Sequence, residues 1–198
     1  MSDIFLRPAK ITDAADLAIL EDIAGHGISL WFWMQEIKSG FEADAMALGK
    51  QRMASDDLIC GWKNSVVAVN ASDQVIGNIA SYLMPTQEES LDEAKTNTPV
   101  FVPVYELFAK TTGSWLVDSL GVYPEFRGQG AGRILLKDSL ERAQNSGVSK
   151  ASLVVENSNK PALNLYAEFG FETTDSRPFI EFNGPSATTE WLLMQKIL

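Results

Sequence analysis

Residues 127–133 read Arg127-Gly128-Gln129-Gly130-Ala131-Gly132-Arg133, a glycine-rich run flanked by arginines. Glycines let a backbone come close to a ligand, and a helix that starts in such a run offers unpaired N–H groups and the positive end of its dipole. That combination makes a pyrophosphate cradle; a plain glycine-rich turn is the competing reading. Two nucleotide motifs fail on the residues themselves. A phosphate loop needs Gly-Lys-Ser/Thr, and here Gly132 is followed by Arg133-Ile134. The dinucleotide pattern G-x-G-x-x-G needs a third glycine where Arg133 stands. A single cysteine, Cys60, leaves no internal disulfide and no cysteine-rich zinc site, and a single histidine, His26, argues against a His-dependent triad or metal cluster. No metal is expected, and Cys60 reads as a small buried side chain without chemistry.

The elements around this run follow from patterning. The chain has 198 residues, the size of one domain, and is 45% hydrophobic and 21% charged, as in ordinary soluble proteins. Sixteen basic and 26 acidic residues give a net charge of −10. This balance argues against a nucleic-acid partner, which would need a basic face, but a small anionic cofactor can still be held by backbone N–H groups and a few arginines. No run approaches the roughly 20 apolar residues that span a bilayer, and the start Met-Ser-Asp-Ile-Phe-Leu-Arg lacks signal-peptide character. A cytoplasmic protein with no membrane partner is the expectation.

Residues 3–7 read as a short strand, and Thr12 or Asp13 as the cap of a helix carrying Leu17, Leu20 and Ala24. Gly25-His26-Gly27 breaks that helix. A second helix carries Leu30, Met34, Ile37 and Phe41, and a further helical stretch reaches Met53. In it, Trp31-Phe32-Trp33 reads as core rather than an acceptor cage. Residues 65–70 and 75–82 form a hairpin around Ala71-Ser72-Asp73-Gln74. A long connection over 83–113 carries the acidic run Glu88 to Glu93 and turns helical around Val104 to Ala109. A strand over Trp115–Val122 then leads to the glycine run and a helix from about Gly130 to Asn145 ended by Gly147. Next come a strand over Ala151–Val155, a helix over about 160–169 stopped by Gly170, and strands at about 179–182 and 190–197. This order describes an α/β fold, a mixed sheet with helices on its faces.

Arg127 to Gly132 resembles the coenzyme A-binding motif Q/R-x-x-G-x-G/A of the GNAT N-acetyltransferases. Leu120-Gly121-Val122-Tyr123-Pro124 before it is similar to that family's fourth strand and its exit. Asn159-x-x-Ala162-x-x-Leu165-Tyr166-x-x-Phe169-Gly170-Phe171 resembles the family's second signature, which follows the fifth strand. Close resemblance covers residues 114–172; the rest matches in architecture. The resemblance implies one acetyltransferase domain over 1–198, with a mostly antiparallel sheet of six to seven strands splayed between the fourth and fifth.

It also implies acetyl-CoA as cosubstrate. Pantetheine would lie in the splay against the backbone of Leu120 and Val122, with Gly121 avoiding crowding. Backbone N–H groups from Gly128, Gln129, Gly130, Ala131, Gly132 and Arg133, beside Arg127, would hold the pyrophosphate, and Asn159 and Ala162 would flank the arm. The implied chemistry is direct attack by a primary amine of a small molecule or peptide in a ternary complex. The N–H near Leu120 would stabilise the oxyanion and Tyr166 would protonate the departing thiolate. Strand alternation puts Asp118 on the face of Leu120 and Val122, which makes it the first candidate base, with Glu156 second. Relatives acting on protein N-termini often carry glutamate where this chain has Val154, which weakens a protein N-terminus as acceptor and leaves deprotonation through a water relay open. A non-catalytic acyl-CoA-binding or sensory module on the same fold is the alternative reading, and the C-terminal strands leave room for a homodimer.

Overall fold

In the computed structural model, which describes residues 3–38, 40, 44–85 and 95–198, seven strands form one sheet in the order β1-β2-β3-β4-β5-β7-β6. In chain order the elements are β1 (Phe5–Pro8), α1 (Ala14–Ala24), α2 (Ile28–Lys38), α3 (Ala45–Met53), β2 (Ser65–Val69), β3 (Val75–Leu83), α4 (Val102–Ala109), β4 (Trp115–Val122), α5 (Ala131–Asn145), β5 (Lys150–Glu156), α6 (Lys160–Glu168), β6 (Glu172–Pro178) and β7 (Glu190–Ile197). The chain divides into two units, Met1–Tyr82 with Val117–Glu141 and Leu83–Leu116 with Arg142–Leu198. Among the described residues no helix is long and apolar enough to cross a membrane. Phe41 and the acidic run Glu88 to Glu93 lie outside the described residues.

In the first unit, β2 is buried along its whole length, as its run of valines requires, and pairs antiparallel with β1 and β3. The expected hairpin turn forms because the Asn70 side-chain oxygen accepts from the N–H groups of Ser72 and Gln74, at 3.0 and 3.1 Å, while Asp73 takes a φ of +60°. Leu17, Ala18 and Leu20 of α1 are fully buried. The expected cap of α1 is corrected: the Asp13 carboxylate accepts from the Lys10 N–H at 2.7 Å and from Arg7 at 2.7 and 3.1 Å, not from the first turn of α1. The two charge-assisted bonds from Arg7 hold the carboxylate away from the first turn of the helix.

Helix α1 ends where expected, with His26 and Gly27 in the left-handed region at φ +50° and +93°. The Asp22 carboxylate then accepts from the Leu30 N–H at 2.8 Å and ties α1 to the start of α2. Trp33 joins the core, as read, and packs on Gly49 of α3. A β-carbon at Gly49 would stand 2.5 Å from the Trp33 ring. Gly49→Ala is therefore expected to cost about 1–3 kcal/mol by overpacking, against the roughly 1 kcal/mol that helix propensity would otherwise return. Urea denaturation checks this, and an unchanged or higher midpoint contradicts it.

In the second unit, β5 pairs antiparallel with β7 over its full length, from Lys150↔Ile197 to Glu156↔Trp191. The parallel pairing of β4 with β5 runs through Trp115↔Ala151 and Leu116↔Ser152, at the start of β4. The strand expected at 179–182 is displaced: the strand is β6, residues 172–178, paired to β7 through a bulge between Thr173 and Asp175. An edge strand needs no apolar face, so its polar residues escape a pattern search. Phe179 and Phe182 are apolar for another reason, since their rings pack on Trp191 and Phe101, each at 5.0 Å.

Candidate active site

The glycine run lies in the first unit. After Val122 the chain makes a short 3-10 turn over Pro124–Phe126 and enters α5 through Arg127–Gly130. Gly128 and Gly130 adopt φ of +74° and +94°, and a β-carbon at either would meet no atom within 4 Å. Backbone conformation rather than crowding demands glycine here, and the space beside both lies open to a ligand. Arg127 Nε donates to the Val122 carbonyl at 3.1 Å and Gln129 Nε2 to the Glu125 carbonyl at 3.3 Å, which brace the turn. The Ile134 N–H closes the first turn of α5 on the Gly130 carbonyl at 3.1 Å. Ala131, Gly132 and Arg133 thus hold first-turn positions, at the positive end of the helix dipole. The fit is to a small polyanion at a helix start, with exposed Arg127 and Arg133 as flanking charges.

Along β4, Asp118, Leu120 and Val122 are half-buried while Ser119 and Gly121 are buried, as the expected alternation requires. Gly121 also answers to a constraint from within the fold. A β-carbon there would lie 2.4 Å from the Leu20 carbonyl oxygen and 3.2 Å from Asn78 Oδ1, so the close approach of α1 already demands glycine.

Asp118 does not stand alone. Glu21 of α1, Cys60 and Asp118 bring one side-chain atom each within 4.8 Å of one another. Ser119 Oγ donates to Glu21 at 2.5 Å, while Tyr82 and Cys60 donate to Asp118. These bonds make the group a hydrogen-bonded cluster around two carboxylates. Two ionised carboxylates at this spacing would repel by about 3 kcal/mol at an effective dielectric of about 20. Burial pushes Glu21 up to about 8, helped by the charges of Asp118 and Asp22 and opposed by the Ser119 hydrogen bond. Burial also lifts Asp118, to about 6, with the bonds from Tyr82 and Cys60 holding it down. The Cys60 thiol and the Tyr82 phenol are both pushed up, by burial first and then by the Asp118 charge. Cys60, expected as a small buried side chain without chemistry, is half-buried and its thiol donates to Asp118. Glu21 and Tyr82 went unremarked in the sequence, because α1, β3 and the segment before β2 meet only in the fold.

The second unit holds the remaining candidates. Tyr166 is buried on α6, its ring 6.0 Å from that of Phe171, and burial pushes its phenol up to about 12. Asn159 caps α6, its side-chain oxygen accepting from the Ala162 N–H at 3.3 Å. Glu156 is buried at the end of β5 and accepts from Thr188 Oγ1 at 3.0 Å.

Residues 31–171 match the model of the Acetyltransferase (GNAT) family. A Bacillus subtilis (strain 168) protein, a candidate ribosomal protein bS18 alanine N-acetyltransferase, is 30% identical over 91 residues, covering 42% of this chain and 60% of that protein. The mouse (Mus musculus) thialysine N-epsilon-acetyltransferase is 35% identical over 80 residues, covering 39% of this chain and 47% of that protein. The chain thus spans less than two thirds of the length of these relatives. In fold it is similar to a Drosophila melanogaster polyamine N-acetyltransferase that forms N-acetylagmatine, with a TM-score of 0.70 at 15% identity over 99% of this chain and all of that one.

Proposed function

The chain belongs to the Acetyltransferase (GNAT) family, whose members move an acetyl group from acetyl-CoA to an acceptor, and from that premise we propose that it acetylates a primary amine of a small molecule or peptide by direct attack in a ternary complex. The observation that carries the reading is the turn from Arg127 to Arg133, with Gly128 and Gly130 in left-handed conformations at the start of α5. The family match runs through parts of both units, which supports one acetyltransferase domain over 1–198.

Acetyl-CoA supplies the thioester acetyl group. In this proposal the N–H groups from Gly128 to Arg133 hold its pyrophosphate, the backbone of Leu120 and Val122 lines the pantetheine arm, and Asn159 and Ala162 border it. The Leu120 N–H faces the oxyanion, where a fixed donor acts strongly. Asp118 removes a proton from the acceptor ammonium, and Tyr166 donates to the departing thiolate. Asp118 takes precedence over Glu156 as base because it shares the strand face of Leu120 and Val122 and lies beside a second carboxylate, Glu21, that lifts the pair's titration.

Calorimetric titration tests the cofactor assignment. Acetyl-CoA and coenzyme A are expected to bind and ATP not to. Gly130→Val places a branched side chain at φ +94° in the open space of the cradle and is expected to weaken acetyl-CoA binding at least about tenfold, or about 1.4 kcal/mol, with thermal unfolding as the control. Unchanged affinity in a folded variant removes the cradle from the account.

A further inference from the structure

Glu21 and Asp118 share one polar centre but receive unequal help. Asp118 accepts from two donors, the Tyr82 phenol of β3 and the Cys60 thiol. Both remain protonated through the neutral range, because burial and the Asp118 charge oppose their ionisation. Glu21 accepts from one donor, Ser119 Oγ of β4, and has its α1 neighbour Asp22 as a further negative charge. Donors stabilise the charged form of a carboxylate, and a like charge destabilises it. The groups facing the pair are therefore Asp22 from α1, Tyr82 from β3, Ser119 from β4 and Cys60 from the segment before β2. Three of them, Asp22, Tyr82 and Cys60, bias the pair toward a protonated Glu21 and an ionised Asp118, against the one bond that Ser119 gives Glu21.

We infer that Glu21 and Asp118 hold one proton between them, and that the hydrogen bonds from Cys60 and Tyr82 make Asp118 the ionised, proton-accepting member while Glu21 keeps the proton. Cys60 and Tyr82 are then positioning residues for the base. In the step they serve, the N–H bond of the acceptor ammonium breaks, its electron pair stays on nitrogen, and an O–H bond forms on Asp118. The kinetic part of this inference rests on the acetyl-transfer reading; the proton distribution does not.

The test follows the pair in two ways. Carboxyl carbon NMR of the resting protein, labelled at Asp and Glu, is expected to show two linked titrations, both above the ordinary carboxylate range, with Asp118 ionising before Glu21. In the pH profile of kcat/KM the acidic limb follows Asp118. Cys60→Ala and Tyr82→Phe each remove one donor to the charged form, so each is expected to raise the Asp118 midpoint and the acidic limb by about one pH unit. Cys60→Ser keeps a donor and is expected to restore the wild-type limb. Glu21→Gln is expected to delete the upper NMR titration. A folded Cys60→Ala or Tyr82→Phe protein with an unmoved Asp118 midpoint overturns the inference, as does a wild-type spectrum in which Glu21 ionises before Asp118. If the wild type turns over no amine, the acetyl-transfer reading has failed, and the NMR titration still decides the proton distribution.

Discussion

Asp118→Asn is expected to lower kcat/KM by about 10²–10⁴-fold while acetyl-CoA affinity stays near wild type, the usual range for removing a general base. Asparagine keeps the shape and a side-chain oxygen that can still accept from Tyr82 and Cys60, but it takes no proton at neutral pH. The pH dependence fixes the sign. With Asp118 lifted to about 6, the wild type carries its base in the accepting form above that pH and loses it below, so kcat/KM falls on acidification. The asparagine variant should show a low rate without that limb. Steady-state kinetics between pH 5 and 8 checks both features. Turnover near wild type, with the limb retained, would return the base to Glu156 or to water.

Tyr166→Phe carries the second large effect, a loss of about 10²–10⁴-fold in kcat with little change in acetyl-CoA affinity. The substitution removes one oxygen and leaves the ring that packs on Phe171. A phenol pushed up to about 12 by burial stays protonated at every working pH and is always a donor. Complete proton transfer from it to a thiolate of ordinary pKa about 8.5 runs uphill. In the proposed mechanism Tyr166 therefore acts mainly through a hydrogen bond that would strengthen as charge develops on sulfur. Rapid-quench measurement of the acetyl-transfer step reads this directly, and a variant with wild-type turnover takes Tyr166 out of the mechanism.

What the sequence made legible was local. The fourth strand spans Trp115–Val122 as read, and Gly147 and Gly170 stand at φ +77° and +82° just past the helices they were expected to end. Such features depend on a few adjacent residues and on the conformations open to glycine. Polar edges were not legible: β6 carries Glu172, Thr173, Thr174 and Asp175 where patterning looks for alternation, and the aromatic run after it is apolar for packing. Distant residues brought together were not legible either. Asp118 was found from its strand face, but Glu21, Cys60 and Tyr82 come from three other segments, and nothing in their spacing announces a shared proton. Gly121 shows a milder version, its need for glycine arising from the Leu20 carbonyl of a distant helix.

The most direct test of the central claim is release of free coenzyme A thiol from acetyl-CoA by the wild-type protein across a panel of primary amines, with product confirmed by mass. Amine-dependent thiol release and an N-acetylated product are expected for at least one acceptor class, and both are expected to be lost in Asp118→Asn. Tight acetyl-CoA binding with no thiol release for any amine in the panel would contradict it and leave an acyl-CoA-binding module on the same fold.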